Sequence, residues 1–262
     1  MRRLPLLLAA GALLVGCDWD GPPRDVRVVS ASELGSASTV PVTTESPSGG
    51  SDGAVPSNGG SGGASGRDAP PVRPGSRGAL TMPETVAVVG DSLTVSATEE
   101  ITVALSRVGV RAVVVDGRES RRMATGGPGL PSGVTAIEDV LTAHRPDVWV
   151  VALGPNDVAS QVAADRFVAD LRATLAAVPA AAPVVWVDVW IRDRLEAVVA
   201  ANALLRGELE RRRAPTLVVD WFSTAATDGL VTGDGVHLTQ AGQDRFAAAI
   251  AGAVVEIGVA PG

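Results

Sequence analysis

The 262-residue chain has no lysine, no tyrosine, one cysteine and two histidines, and aromatic residues make up only 3% of it. The lone cysteine, Cys17, excludes an internal disulfide framework and a cysteine-cluster zinc site. With His144 and His237 as the only imidazoles, any histidine chemistry has two candidates. All 22 basic side chains are arginine and face 29 acidic ones, giving a net charge of −7. That balance disfavours a nucleic-acid binder, which needs a basic footprint. Asparagine occurs only at Asn58, Asn156 and Asn202. Lysine, tyrosine and asparagine have AT-rich codons, so their scarcity reads as a GC-rich genome, and an asparagine inside a motif carries extra weight. No metal-binding cluster, dinucleotide fingerprint or phosphate loop is present, so neither a metal nor a cofactor is expected. What is abundant is aliphatic: hydrophobic residues are 46% of the chain and mean hydropathy is +0.25, which suits a packed core.

The amino terminus reads as an address. Arg2 and Arg3 precede an apolar run from Leu4 to Val15, then Gly16 and Cys17. A positive start, a short apolar stretch and a small residue before the break make a secretory signal. Residues 4–16 fall short of the ~20 that a membrane-spanning helix needs. Leu14-Val15-Gly16-Cys17 resembles the lipobox of bacterial lipoproteins. The resemblance implies a signal peptide over 1–16 and acyl chains on Cys17, and two or more chains suffice for stable anchoring. The expected location is the extracytoplasmic face of a cell membrane.

From Ser46 to Gly78, 22 of 33 residues are Gly, Ser or Pro, without apolar periodicity. Such composition cannot bury enough surface to offset chain entropy. Residues 17–80 are therefore expected to form a disordered tether between membrane and working domain, spanning roughly 45 Å as a flexible coil. Asp25 to Val29 could form a short strand, but the sequence offers it no partner.

Beyond residue 80, strand and helix patterns alternate. Strands are expected at Thr85–Val89, Val110–Val115, Asp147–Leu153, Pro183–Val189 and Thr216–Val219. Helices are expected at Val95–Val108, Pro131–His144, Gln161–Val178, Leu195–Arg213 and Ala241–Val255. Short, continuously apolar strands joined by helices argue for a parallel sheet covered on both faces. The expectation is one three-layer α/β/α sandwich over 81–258 with a five-stranded parallel sheet. In such open sheets the site lies beyond the carboxyl ends of the strands.

Three strands end in polar or glycine-bearing clusters: Gly90-Asp91-Ser92-Leu93, Asp116-Gly117-Arg118 and Gly154-Pro155-Asn156-Asp157. Ser92 falls between a strand and a helix, with its hydroxyl at the mouth of the sheet and its N–H near a helix start, favourable for an oxyanion. Serine is a weak nucleophile at neutral pH and needs a base. His237 can supply one, with Asp234 three residues earlier to orient the imidazole. Asn156 offers an amide donor and Gly117 an unobstructed N–H for an oxyanion. Taken singly, each cluster is an ordinary turn or helix cap. Together they hold the order and strand-end positions that one serine-hydrolase site requires.

These four blocks, from Gly90-Asp91-Ser92-Leu93 to Asp234-Gly235-Val236-His237, resemble those of the SGNH/GDSL hydrolases over about residues 84–255. The resemblance implies a flavodoxin-like fold and ester hydrolysis or acyl transfer. It implies Ser92 as nucleophile and first oxyanion donor, Gly117 and Asn156 as the other donors, His237 as base and Asp234 as its orienting acid.

Asp116-Gly117-Arg118 and Val187-Asp188-Val189 further resemble the extracytoplasmic SGNH domains of bacterial envelope O-acetyltransferases. The favoured reading is a monomeric, membrane-tethered esterase acting on short acyl, chiefly O-acetyl, esters of small molecules or envelope carbohydrate. Two alternatives stand beside it. One is a partner that receives acetyl groups from a separate membrane acyltransferase and passes them to a glycan; the other is a non-catalytic binding lipoprotein. Arg118, Arg121 and Arg122 could meet an anionic substrate or form a solvated face, and Trp190 could flank a sugar or acyl group. His144, Asp91 and Asp157 read as structural, and Trp149 and Trp186 as core.

Overall fold

A computed structural model of the chain describes residues 81–258 and, as backbone, residues 27–30. Cys17, the signal segment and the rest of the expected tether lie outside the described residues. Six strands form one sheet in the order β1-β3-β2-β4-β5-β6: β1 (Arg27–Ser30), β2 (Thr85–Gly90), β3 (Ala112–Gly117), β4 (Val148–Ala152), β5 (Val184–Val187) and β6 (Thr216–Val219). Strands β2 to β6 are parallel, as expected, whereas β1 pairs antiparallel with β3, Val28 opposite Val114. The short strand that the sequence left without a partner therefore has one. It lies far away in the chain, beyond the reach of local patterning, and it covers the edge of β3 that would otherwise stand unpaired.

The strands are apolar without alternation because both faces are buried. Val86, Val88, Val113, Val115, Val148 and Val150 point to one face. There they meet Ile101 and Leu105 of α2 (Thr98–Arg107), and Phe246, Ile250 and Val254 of α8 (Gln240–Ile257). Ala87, Val89, Val114, Trp149, Val151 and Trp186 point to the other. They pack on Ile137 of α3 (Gly133–Ala143), Leu171 of α5 (Ala164–Ala177) and Leu205 of α6 (Leu195–Glu210). This is the three-layer sandwich.

The expected helix over Val95–Val108 is instead two pieces, α1 (Ser92–Ser96) and α2, broken at Ala97, where the Thr98 hydroxyl donates to the Thr94 carbonyl (2.8 Å). Two further short helices, α4 (Pro155–Ala159) and α7 (Trp221–Ala225), replace what read as loops. Both α1 and α4 start at the carboxyl edge of the sheet, directly after β2 and β4. The strand after β2 lies on one side of it and the strand after β3 on the other, the switch point beyond which such sheets bind ligands.

Candidate active site

Ser92 opens α1 two residues beyond the Gly90 end of β2, and its Oγ lies 3.1 Å from His237 Nε2. On the other side of the ring, His237 Nδ1 lies 2.6 Å from Asp234 Oδ2. A carboxylate only accepts, so Nδ1 carries the proton and donates it to Asp234. Nε2 is left with its lone pair, and the Ser92 hydroxyl donates to it. The bond to His237 is the chief cause that holds the Asp234 carboxyl well below the usual carboxylate range, with the Val236, His237 and Thr232 donors adding to it.

The loop that carries both residues is locally closed. Asp234 Oδ1 accepts from the Val236 and His237 N–H groups (2.8 and 3.0 Å) and from the Thr232 hydroxyl (2.8 Å). Gly235 bends the chain back with φ 76, a region that side chains disfavour, so that residues three apart can face each other. The loop docks on the segment after β5, where the Arg192 N–H donates to the Gly235 carbonyl (3.1 Å).

The other wall sets the part-buried Asn156 against buried groups. Asn156 Nδ2 donates to Asp91 Oδ2 (3.2 Å) and to the Arg121 carbonyl (3.1 Å). Asp91 is buried, and its second oxygen caps α1 by accepting from the Leu93 N–H (3.1 Å). Burial pushes the Asp91 carboxyl up to about 7, against the lowering effects of that N–H, His237 and Arg121. Arg121 is fully enclosed: its guanidinium donates to the Gly90 carbonyl (3.0 Å) and to Asp116 Oδ1 (2.6 Å). It is thus neither a substrate contact nor part of a solvated face. Its charge is matched by Asp116, and it ties the end of β2 to the loop after β3. Beside it, Asp157 accepts from the Met123 N–H (3.1 Å) and faces Arg122 Nε at 3.4 Å. Burial raises its carboxyl to about 6.

Gly117 ends β3 opposite Gly90. A Cβ there would come within 2.9 Å of the Val95 backbone nitrogen, so glycine lets α1, with Ser92, lie against the strand end. The next residue, Arg118, donates its N–H to the Gly90 carbonyl (3.1 Å). The turn that follows, closed by Arg121 N–H to the Arg118 carbonyl (3.2 Å), holds the exposed Ser120 at φ 60.

The remaining candidates separate cleanly. Arg118 donates to the Gly129 carbonyl (2.7 Å), and Arg122 serves Asp157. Trp190 is buried in the core on the α8 side of the sheet, edge-on to Phe222 at 5.5 Å, so it does not flank a substrate. His144 ends α3 with its N–H on the Val140 carbonyl. Among the described residues, no group of His, Cys, Asp and Glu is arranged to hold a metal ion, and no helix is long and apolar enough to cross a membrane.

No family model matches the chain, and none of the curated proteins compared matches it. Solved structures do. A lipase/acylhydrolase from Enterococcus faecalis aligns with a TM-score of 0.55 at 15% identity, over 68% of this chain and 99% of that one. TesA aligns at 0.53 and 18%, over 66% and 99%. The catalytic domain of Streptococcus pneumoniae peptidoglycan O-acetyltransferase A aligns at 0.52 and 20%, over 67% and 95%. The chain therefore shares the fold of these proteins.

Proposed function

We propose that the chain is a serine esterase that hydrolyses short-chain acyl esters, chiefly O-acetyl esters on envelope carbohydrate, from an extracytoplasmic lipid anchor at Cys17. The unbroken line of hydrogen bonds from Ser92 Oγ through the His237 ring to Asp234 carries the reading. Ser92 attacks the ester carbonyl while its proton moves to Nε2, and the imidazolium that forms is stabilised by Asp234. Oxygen charge on the tetrahedral intermediate meets the Ser92 and Gly117 N–H groups and the Asn156 amide. Collapse expels the alcohol, which takes the proton from Nε2, and water then releases the acid from Ser92 by the same steps in reverse.

His237 and Asp234 side chains are 52% and 49% exposed, which favours small, soluble esters over long-chain lipids. The same openness lets a sugar hydroxyl take the place of water. The likeness to an O-acetyltransferase domain lends that second reading its support.

A panel of p-nitrophenyl esters from C2 to C12, run beside fluorophosphonate labelling of the wild type and Ser92→Ala, tests the assignment. Turnover falling with chain length and labelling lost in Ser92→Ala are expected; preference for C8 or longer removes the acetyl-ester reading. Following acetyl to water or to an added glycan separates hydrolase from transferase, and absence of labelling leaves only a binding module. Cys17→Ala should move the protein from the membrane fraction to the soluble one, and a variant that stays with membranes removes the lipid anchor.

A further inference from the structure

We propose that Asp91, next to the nucleophile, is a positioning residue that selects the donor-forward orientation of the Asn156 amide. The proposal deepens the esterase reading and rests on it. An asparagine amide has two orientations of nearly equal shape, one presenting Nδ2 and the other Oδ1 to a given place. Here both groups flanking Nδ2, the Asp91 carboxylate at 3.2 Å and the Arg121 carbonyl at 3.1 Å, are acceptors. A flipped Asn156 would set its own carbonyl oxygen against two acceptors, one of them the buried Asp91 carboxylate, where such conflicts are costly.

The two acceptors are themselves fixed. Asp91 Oδ1 is held by the Leu93 N–H at the start of the helix that begins with Ser92. The Arg121 backbone is anchored by its own enclosed guanidinium on Gly90 and Asp116. Nucleophile and oxyanion donor are thus referenced to one carboxylate. Both bonds from Nδ2 lie at the long end of the hydrogen-bond range, so one N–H can be drawn into a shared bond once the substrate oxygen becomes an oxyanion. That bond strengthens only as charge develops, and its loss appears in kcat, with KM unchanged.

Protonating Asp91 at Oδ2 would put a donor against a donor and release the amide. Its carboxyl, raised to about 7 by burial, faces His237, Asp157 and Arg121, so release is expected as pH falls through neutrality.

Asp91→Asn keeps the shape and can still cap Leu93, but turns an NH2 toward Asn156. It should lower kcat by about 10- to 100-fold at constant KM. In an Asn156→Ala background the same change should cost less than about twofold. An undiminished cost there, or a cost carried by KM, shows that Asp91 acts only as a helix cap and overturns the proposal.

A second readout needs no turnover and no Asp91 variant. The Asn156 side-chain amide signals, identified by their absence in Asn156→Ala, should titrate near neutral pH in the wild type. They should still do so in His237→Ala and Asp157→Asn, which remove the ionisable groups beside Asp91. Signals that stay fixed, or that stop moving in either variant, overturn the link. A wild type without Ser92-dependent turnover would instead sink the esterase reading, while the amide titration still decides the Asp91 link.

Discussion

The two walls of the site are built on opposite principles. The base wall, Asp234 to His237, is a four-residue loop, half exposed, whose bonds run between close neighbours in sequence. The wall proposed to hold the oxyanion, with Asp91, Arg121 and Asn156, is assembled from the segments that follow β2, β3 and β4, and its groups are tens of residues apart. Its acid is buried and lifted toward neutrality, while the acid of the base wall is held low by its imidazole. A group that must exchange protons with solvent and substrate works at an open edge. A group that must stay aimed while charge develops works best in a rigid, dry surround, where reorganisation is small.

The sharpest break is within the base wall. Ser92→Ala and His237→Ala should each lower kcat by about 10⁴–10⁶-fold, and the double variant should be scarcely worse than either one. Both changes remove the same activated nucleophile. Losses that multiply in the double variant would show that the 3.1 Å contact between them is not used in catalysis.

On the oxyanion wall the largest effect should come from Asn156→Ala, about 10²–10³-fold in kcat with little change in KM. A structural turn residue would behave otherwise, costing about 1 kcal/mol of stability and leaving turnover intact. Turnover and the urea midpoint of the same variant tell the two apart.

Arg121→Met shifts the loss from rate to stability. It leaves the Asp116 carboxylate enclosed without its partner, for which about 3–5 kcal/mol is expected. Adding Asp116→Asn should restore part of that stability. If the double variant is as unstable as the single, charge pairing is not what the arginine contributes.

The same contrast explains what could be read from the sequence. Asp234 and His237 stand three apart around an Asp-Gly turn, so their pairing follows from local geometry. Ser92 and Asn156 were marked by strand ends, which apolar runs reveal. Arg121 was not, because an arginine among 22 reads as surface, and only a three-dimensional partner such as Asp116 permits its burial. Gly117 was marked as a glycine after a strand, but the approach of the Val95 backbone nitrogen, which a Cβ there would meet at 2.9 Å, is a contact that only the folded chain creates. The pairing of β1 with β3 and the break at Ala97 escaped for the same reason: each depends on contacts or local hydrogen bonds that periodicity does not encode.

Buried carboxyls also set the response to pH. Asp91, Asp157 and Asp188 are raised to about 7, 6 and 6, each chiefly by burial. Between pH 4 and 7 the folded protein therefore holds protons that the unfolded chain has already released. Stability should fall as pH rises through that window, by up to about 1.4 kcal/mol per pH unit for each group still protonated. Asp234 acts in the opposite sense, its contribution being lost only as pH falls below the ordinary carboxylate range. Urea midpoints at pH 5 and 8 should thus favour pH 5, and Asp91→Asn should narrow the gap. A protein more stable at pH 8 would contradict the raised values.

The smallest expected effect lies in the turn that follows Gly117. Ser120 sits at φ 60, third in the turn from Arg118 to Arg121, where a side chain costs about 1–2 kcal/mol relative to the ordinary helical region. Glycine adopts that region freely but gives back roughly 0.5–1 kcal/mol through the greater freedom of its unfolded chain. Ser120→Gly should therefore raise stability by no more than about 1 kcal/mol, a few degrees in Tm for a domain of this size. Esterase activity should not change, since the backbone and its N–H are retained. A tenfold fall in kcat with unchanged Tm would mean that the strained serine, and not merely the turn, belongs to the oxyanion wall. That wall would then extend from buried groups to an exposed one, and the contrast with the base wall would be one of rigidity alone.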